Sequence, residues 1–312
     1  AIYKGMLQFL AKRDGRLYMV QPLPVNSFEI APSGNNKFLL SWKPTTDTLT
    51  ANSDASSYLV YERIGNGAFK FVAKTVAPQY LAEVNDNLIH SYKVVAMNDG
   101  GKSFPSEILS LGVAPESKGT VMVVNGFTRV SAPDWFEAGE IAGFYDERDH
   151  GVPYVNDISF IGSQFEFRRE IPWMDDDAAG FGASRSNYET KVIAGNTFDY
   201  PIVHGEAIMA AGYSFVSSSM DAFAGKSFNA EQYPVVDIIM GKQKEVKIGR
   251  GAVPNRYKTM SPELMTTITE YTKTGGNVML TGSFIATDIW DKKNAVEEEK
   301  AFAADVLGYK WR

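Results

Sequence analysis

The sequence predicts an all-β sandwich of short strands, followed by an α/β domain with a doubly wound, mostly parallel sheet. Three observations carry this. From about Leu23 to Val113, short runs of alternating apolar residues are separated by turn-forming stretches, with no helical period. Ala114-Pro115-Glu116-Ser117-Lys118-Gly119 then reads as a linker. Beyond it, strand-like runs alternate with helix-patterned segments, as in βαβ units. The length of 312 residues suits two cores, because a single core stops growing near roughly 250 residues.

In the first region, Phe38, Leu40 and Trp42 alternate on one face of Lys37–Trp42. Tyr58–Ile64, Phe69–Val76 and His90–Met97 read as further strands, the last bringing Tyr92, Val94 and Ala96 inward. Gly65-Asn66-Gly67 and Asn98-Asp99-Gly100-Gly101 supply the left-handed positions that hairpin turns need. Ahead of this region, Ile2, Met6, Phe9 and Leu10 recur at helical spacing.

In the second region, Thr120–Asn125 is an unbroken apolar strand of the buried type. Pro201–Ala211 reads as a helix leading through Gly212 into a strand over Tyr213–Ser218. Val235–Met240 and Asn277–Thr281 are the next strands, and the helix between them is marked at both ends. Ser261 caps it, Pro262 takes its first position, Glu263 favours the positive end of the dipole, and Gly275-Gly276 stop it. A last helix is expected over Asn294–Leu307. The stretch from about Ser131 to Asp199 has no regular period and is too long for an ordinary βα loop. Its aromatics, Phe160, Phe165, Phe167, Trp173, Phe181 and Tyr188, favour an ordered insert.

Trp42 together with the run Tyr92-x-Val94-x-Ala96-x-Asn98-x-x-Gly101-x-Ser103-x-Pro105-Ser106-Glu107 resembles the fibronectin type III family. That resemblance implies a core tryptophan, a tyrosine whose hydroxyl bonds upstream backbone, and a spacer role. In the second region, Met240-Gly241-Lys242-Gln243 and Thr281-Gly282-Ser283-Phe284-Ile285-Ala286 resemble the class I glutamine amidotransferase-like fold, a flavodoxin-like parallel sheet. Ser283 occupies the elbow where that family carries its cysteine, and Ile285 stands where it carries a glycine. The resemblance is more particular to Bacteroidetes proteins labelled xanthan lyase. It is carried by Gly180-Phe181-Gly182-Ala183-Ser184, His204-Gly205-Glu206-Ala207-Ile208, Ala211–Ser217 and Gly275–Ser283. In such proteins an N-acetylmuramoyl-L-alanine amidase-like zinc domain can lie upstream. The implied boundaries are a terminal helix of that domain over 1–19, a sandwich over 20–114 and an amidotransferase-like domain over 115–312.

Composition narrows the chemistry. There is no cysteine, which closes the thiolate, disulfide and cysteine–metal routes. Three histidines, His90, His150 and His204, lie at none of the spacings of a zinc site. A net charge of −6 with no basic cluster argues against a nucleic-acid partner, and no apolar run reaches the roughly 18 residues of a membrane span. No cofactor is expected.

Gly282-Ser283 should end a central parallel strand, where an elbow exposes a hydroxyl to backbone N–H groups. A serine needs a base, for which His204 is the candidate, with Asp288 or Glu206 as its orienting acid. Against this, Ser283 reads first as a helix cap. Asn125, Gly126, Gly241, Gly282 and Ser283 end strands at one sheet edge, where open α/β sheets bind ligands. Asp175, Asp176 and Asp177 carry oxygen ligands suited to Ca²⁺ but lack the alternating spacing of a calcium loop, which favours a solvated acidic turn. Three functions follow. The first is an accessory region of a secreted, periplasmic or cell-surface protein acting on cell wall or polysaccharide, with peptidoglycan or polysaccharide and further domains of the same polypeptide as partners. The others are a serine hydrolase centred on Ser283 and a carbohydrate-binding module.

Overall fold

The computed structural model describes residues 2–128, 135–138, 141–144, 198–241, 243, 245, 257–282, 284–290 and 295–311. The chain opens on helix α1 (Ile2–Arg13) and continues into strands β1 (Asn26–Pro32), β2 (Lys37–Lys43), β3 (Ser57–Ile64), β4 (Lys70–Thr75), β5 (Gln79–Glu83), β6 (Ile89–Asn98), β7 (Gly101–Pro105) and β8 (Leu109–Gly112). β2 pairs antiparallel with β1 and β5 on one side of the core. β3 pairs with β4 and β6, and β6 continues to β7 and β8 on the other. This is an antiparallel sandwich of three strands facing five, in which β7 and β8 follow one another along the same partner, β6.

Alternation decides which residues face inward. Phe38, Leu40 and Trp42 are buried along β2 while their neighbours are not; Tyr92, Val94 and Ala96 face the same core from β6, a strand buried on both faces so that Ser91 and Val95 are buried as well. The expected role of Tyr92 needs correction. Its hydroxyl donates to Glu62 Oε1 at 2.5 Å, a carboxylate on the neighbouring strand, instead of to upstream backbone. The register pairs Glu62 directly with Tyr92, so the carboxylate reaches the hydroxyl first.

The remainder of the described chain mixes strands and helices. It comprises β9 (Thr120–Asn125), β10 (Trp135–Ala138), β11 (Ile141–Phe144), α2 (Tyr200–Ala210), β12 (Ser214–Ser219), α3 (Met220–Phe223), β13 (Val235–Gly241), α4 (Pro262–Lys273), β14 (Asn277–Gly282), α5 (Thr287–Trp290) and α6 (Glu297–Asp305). β9 pairs in parallel with β12 and β13, and β13 pairs in parallel with β14. β10 and β11 form a separate antiparallel pair. β14 is the outermost described strand of its sheet, not a central one. Its alternating burial and the half-exposed Met279 fit an edge, a position that the apolar content of Val278–Leu280 does not reveal.

The two regions share a sheet. β8 and β1 both pair antiparallel with β12, so hydrogen bonding runs along the order β14-β13-β9-β12-β8-β6-β3-β4. One apolar cluster extends from Trp42 and Tyr58 through Val124, Val216 and Ile238 to Leu264 and Ile289. A second, under α2, joins Ile89 to Val121, Val123, Phe215 and Ile202. Where β8 meets β12, Gly112 is required by close approach, because a Cβ there would lie 2.3 Å from Met209 Sδ.

Polar bonds cross the same boundary. Ser217 Oγ donates to Ser110 O at 2.6 Å and accepts from Ser110 N at 2.7 Å. Ala114 N donates to Ser214 Oγ at 3.0 Å. Arg63 of β3 and Asp199, just ahead of α2, form a buried ion pair, with the guanidinium also lying 4.8 Å from the Phe69 ring centre.

Candidate functional site

Parallel pairing brings the carboxyl ends of β9, β12, β13 and β14 to one edge of the sheet. Four of the five sequence-predicted pocket residues can be followed there. Asn125 is fully buried, and its Nδ2 donates to Glu107 Oε2 at 3.0 Å and to Ile108 O at 3.3 Å. Its Oδ1 is buried with no hydrogen-bond partner among the described residues, an arrangement that costs a desolvated acceptor its interaction with water. Gly126 N donates to Ile239 O at 2.8 Å, and any side chain at Gly126 would run into Met240 Sδ at 2.5 Å. Gly241 adopts φ 50°, and a Cβ at Gly282 would meet Met240 Cβ at 2.7 Å. The strand ends are therefore packed closely on one another. Ser283 lies outside the described residues, as do Asp175, Asp176 and Asp177.

Glu107 enters this edge from the sandwich, between β7 and β8, and was legible in the sequence only as part of the fold motif. Burial pushes its carboxyl up to about 8; the Asn125 hydrogen bond opposes the rise and the charge of Asp221 adds to it. A half-buried acid that stays protonated near neutrality can donate as well as accept, which changes what it can bind. Asp221 comes from the first turn of α3, which Ser219 caps by accepting from Ala222 N.

The expected His204 and Asp288 pairing does not form. His204, on α2, places Nδ1 2.6 Å from Oδ2 of Asp237, a buried residue of β13. A carboxylate can only accept, so Nδ1 carries the proton and Nε2 is left as the basic nitrogen. Asp288 is engaged by two backbone amides and a hydroxyl: Oδ1 accepts from Glu245 N at 3.0 Å, and Oδ2 accepts from Thr259 N at 3.1 Å and Thr259 Oγ1 at 2.9 Å. The two groups also belong to opposite faces of the sheet. Asp237 shares its face with Ile239, under α2, whereas Ile289 beside Asp288 packs with Ile238 and Leu264 on the other. Asp237 was overlooked in the sequence, although a single acid within Val235-Val236-Asp237-Ile238-Ile239-Met240 is itself a signal. Glu206 is exposed on α2. Among the described residues no cluster of His, Asp and Glu is arranged to hold a metal ion, and no helix is long and apolar enough to cross a membrane.

No protein-family profile matches the chain, and no curated protein does. Solved structures similar to it include a human fourth FNIII domain, at 22% identity with a TM-score of 0.27, covering 32% of this chain and 87% of that one. The fibronectin type III domain of human fibronectin type III domain containing protein 3 is 23% identical with a TM-score of 0.27, covering 31% and 91%. The twitchin kinase region of C. elegans is 22% identical with a TM-score of 0.25, and the chain spans 16% of its length while 28% of this chain is covered. Scores this low leave the assignment to the strand pairing and the Tyr92–Glu107 run. On those grounds the N-terminal region is a fibronectin type III-like sandwich.

Proposed function

We propose that this chain is an accessory, substrate-proximal arm of a secreted, periplasmic or cell-surface bacterial protein that degrades cell wall or polysaccharide, and that it is not catalytic by itself. The observation carrying this reading is the sheet that continues from β8 into β12, because a shared sheet transmits orientation where a flexible linker would not. The engagement of Asp288 by Glu245 and Thr259 supports it further, since that acid is then unavailable to a catalytic histidine. For the second region we retain the amidotransferase-like reading. The parallel order β12-β9-β13-β14 supports it, being the flavodoxin-like order 2-1-3-4. The Bacteroidetes xanthan lyase resemblance supplies the substrate classes.

The test is to incubate the purified chain with peptidoglycan and with xanthan and to follow released ends and unsaturated sugar. No turnover is expected. A second reading, a hydrolase using Ser283, is favoured only by the His204 and Asp237 pair, which has the geometry of an oriented base. Turnover that disappears in Ser283→Ala and in His204→Ala would replace the accessory reading with that one.

A further inference from the structure

Helix α1 is amphipathic with its apolar stripe turned outward. Tyr3, Met6, Phe9 and Leu10 fall at spacings of three and four, on one face, and Met6 and Phe9 are 61% and 67% exposed. The opposite side is the one held to the molecule: Lys4 pairs with Asp47 and donates to Thr50 Oγ1 at 2.9 Å, and Tyr18 donates to Lys4 O at 3.4 Å. The helix contains Lys4, Lys12 and Arg13 and no acidic residue, with Lys12 and Arg13 both in its last turn. Arg13 Nε lies 2.7 Å from Asp14 Oδ1 just past the helix end, an exposed pair that a docked carboxylate would have to exchange, and Arg16 beside it keeps this end net basic. A short basic helix showing apolar side chains to water is what a hydrophobic groove with an acidic rim accepts.

Such a groove exists elsewhere on the same chain. Between α4 and α6 lies an open cleft of about 550 Å³ whose apolar wall includes Met265, Ala301, Phe302 and Val306. Glu270, Glu298 and Asp305 line it, against the single cation Lys273. None of these three carboxylates makes an ion pair or hydrogen bond among the described residues. With three acids against one cation, the groove carries a charge opposite to that of α1.

We propose that α1 of one copy of this chain docks in the α4–α6 groove of a second copy, with Phe9 and Met6 against the Phe302 and Met265 wall and Lys12 and Arg13 facing Glu298 and Asp305. The helix is about 18 Å long at 1.5 Å per residue, so a single contact of this kind is small for a stable interface. Association is therefore weak and reversible. The contact joins two different surfaces and is head-to-tail, so copies add to one another without a built-in limit unless the geometry closes a ring. This inference goes beyond the accessory reading and does not depend on it.

Sedimentation velocity over a roughly hundredfold concentration range about a micromolar Kd should show mass rising with concentration, less so in high salt. Phe9→Glu, on the helix, and Ala301→Glu, in the groove, change exposed positions and should leave the unfolding midpoint within about a degree of the parent. Each variant alone should be monomeric. Mixed together they should form a one-to-one dimer and nothing larger, because one retains the groove and the other the helix. A parent that stays monomeric throughout would overturn the proposal. So would association that Phe9→Glu abolishes and Ala301→Glu leaves intact, which would mean that α1 packs on another α1.

Discussion

Trp42 is buried against Phe28 and Tyr58 in edge-to-face contacts, with ring centres 6.2 and 5.4 Å apart, and its indole Nε1 has no hydrogen-bond partner among the described residues. Trp42→Ala should therefore cost about 3–5 kcal/mol as a large-to-small core change, read from a urea unfolding midpoint. Trp42→Phe should cost far less, since it keeps most of the apolar area and removes an unsatisfied donor. The inward position of Trp42 was readable from alternation alone. The environment of His90 was not, because Glu62 is 28 residues away and is brought close only by the β3–β6 register. Nδ1 and Nε2 of His90 lie 2.9 Å from Glu62 and Asp86 carboxylate oxygens, so both nitrogens donate and the ring is held as imidazolium. Burial works against that charge, but the hydrogen bonds to Glu62 and Asp86 outweigh it and the pKa is raised above 6.5. The stabilisation should be complete below pH 6.5 and lost as pH rises through the raised value. His90→Gln should flatten that part of the stability profile; an unchanged profile would show that His90 is neutral in the fold.

Helix α4 was legible at both ends, and its capping can be tested directly. Ser261 Oγ accepts from Leu264 N at 3.2 Å, Pro262 opens the helix, and Leu264, Ile268 and Tyr271 form its buried stripe. Ser261→Ala should destabilise by about 1 kcal/mol, whereas Ser261→Asp should be close to neutral, by thermal unfolding. Helix α6 spans Glu297–Asp305, within the expected Asn294–Leu307, of which Asn294 lies outside the described residues; Val296 offers no side-chain cap to mark its start. β1, β5, β7 and β8 escaped the sequence reading. β5, β7 and β8 are short, and β7 and β8 are separated by Ser106, Glu107 and Ile108; β1 is as long as β2 but offers only Phe28 and Ile30 as large apolar residues in alternation. The candidate site was half legible for a related reason. Strand ends such as Asn125 and Gly126 follow from the chain order, but Glu107 and Asp237 acquire their partners only when separate elements meet.

At the scale of the whole molecule, the linker at 114–119 reads in sequence as a separation, yet hydrogen bonds and core packing run across it. Nothing in a one-dimensional pattern reports that β8 and β1 find β12, since that pairing depends on edges that exist only after both sheets form. Glu107 lies on this junction with a carboxyl raised from about 4.5 to about 8, so the folded form holds its proton more tightly than the unfolded chain. Its contribution is greatest below pH 4.5 and is lost as pH rises through 8. Glu107→Gln keeps an acceptor for Asn125 without the charge and should be more stable than the parent at alkaline pH, with little difference under acid. A continuous sheet and a shared core also require the two regions to unfold together. Differential scanning calorimetry of the chain should give one transition, with equal calorimetric and van't Hoff enthalpies. Two resolved transitions, or a calorimetric enthalpy well above the van't Hoff value, would contradict the account of a single rigid arm.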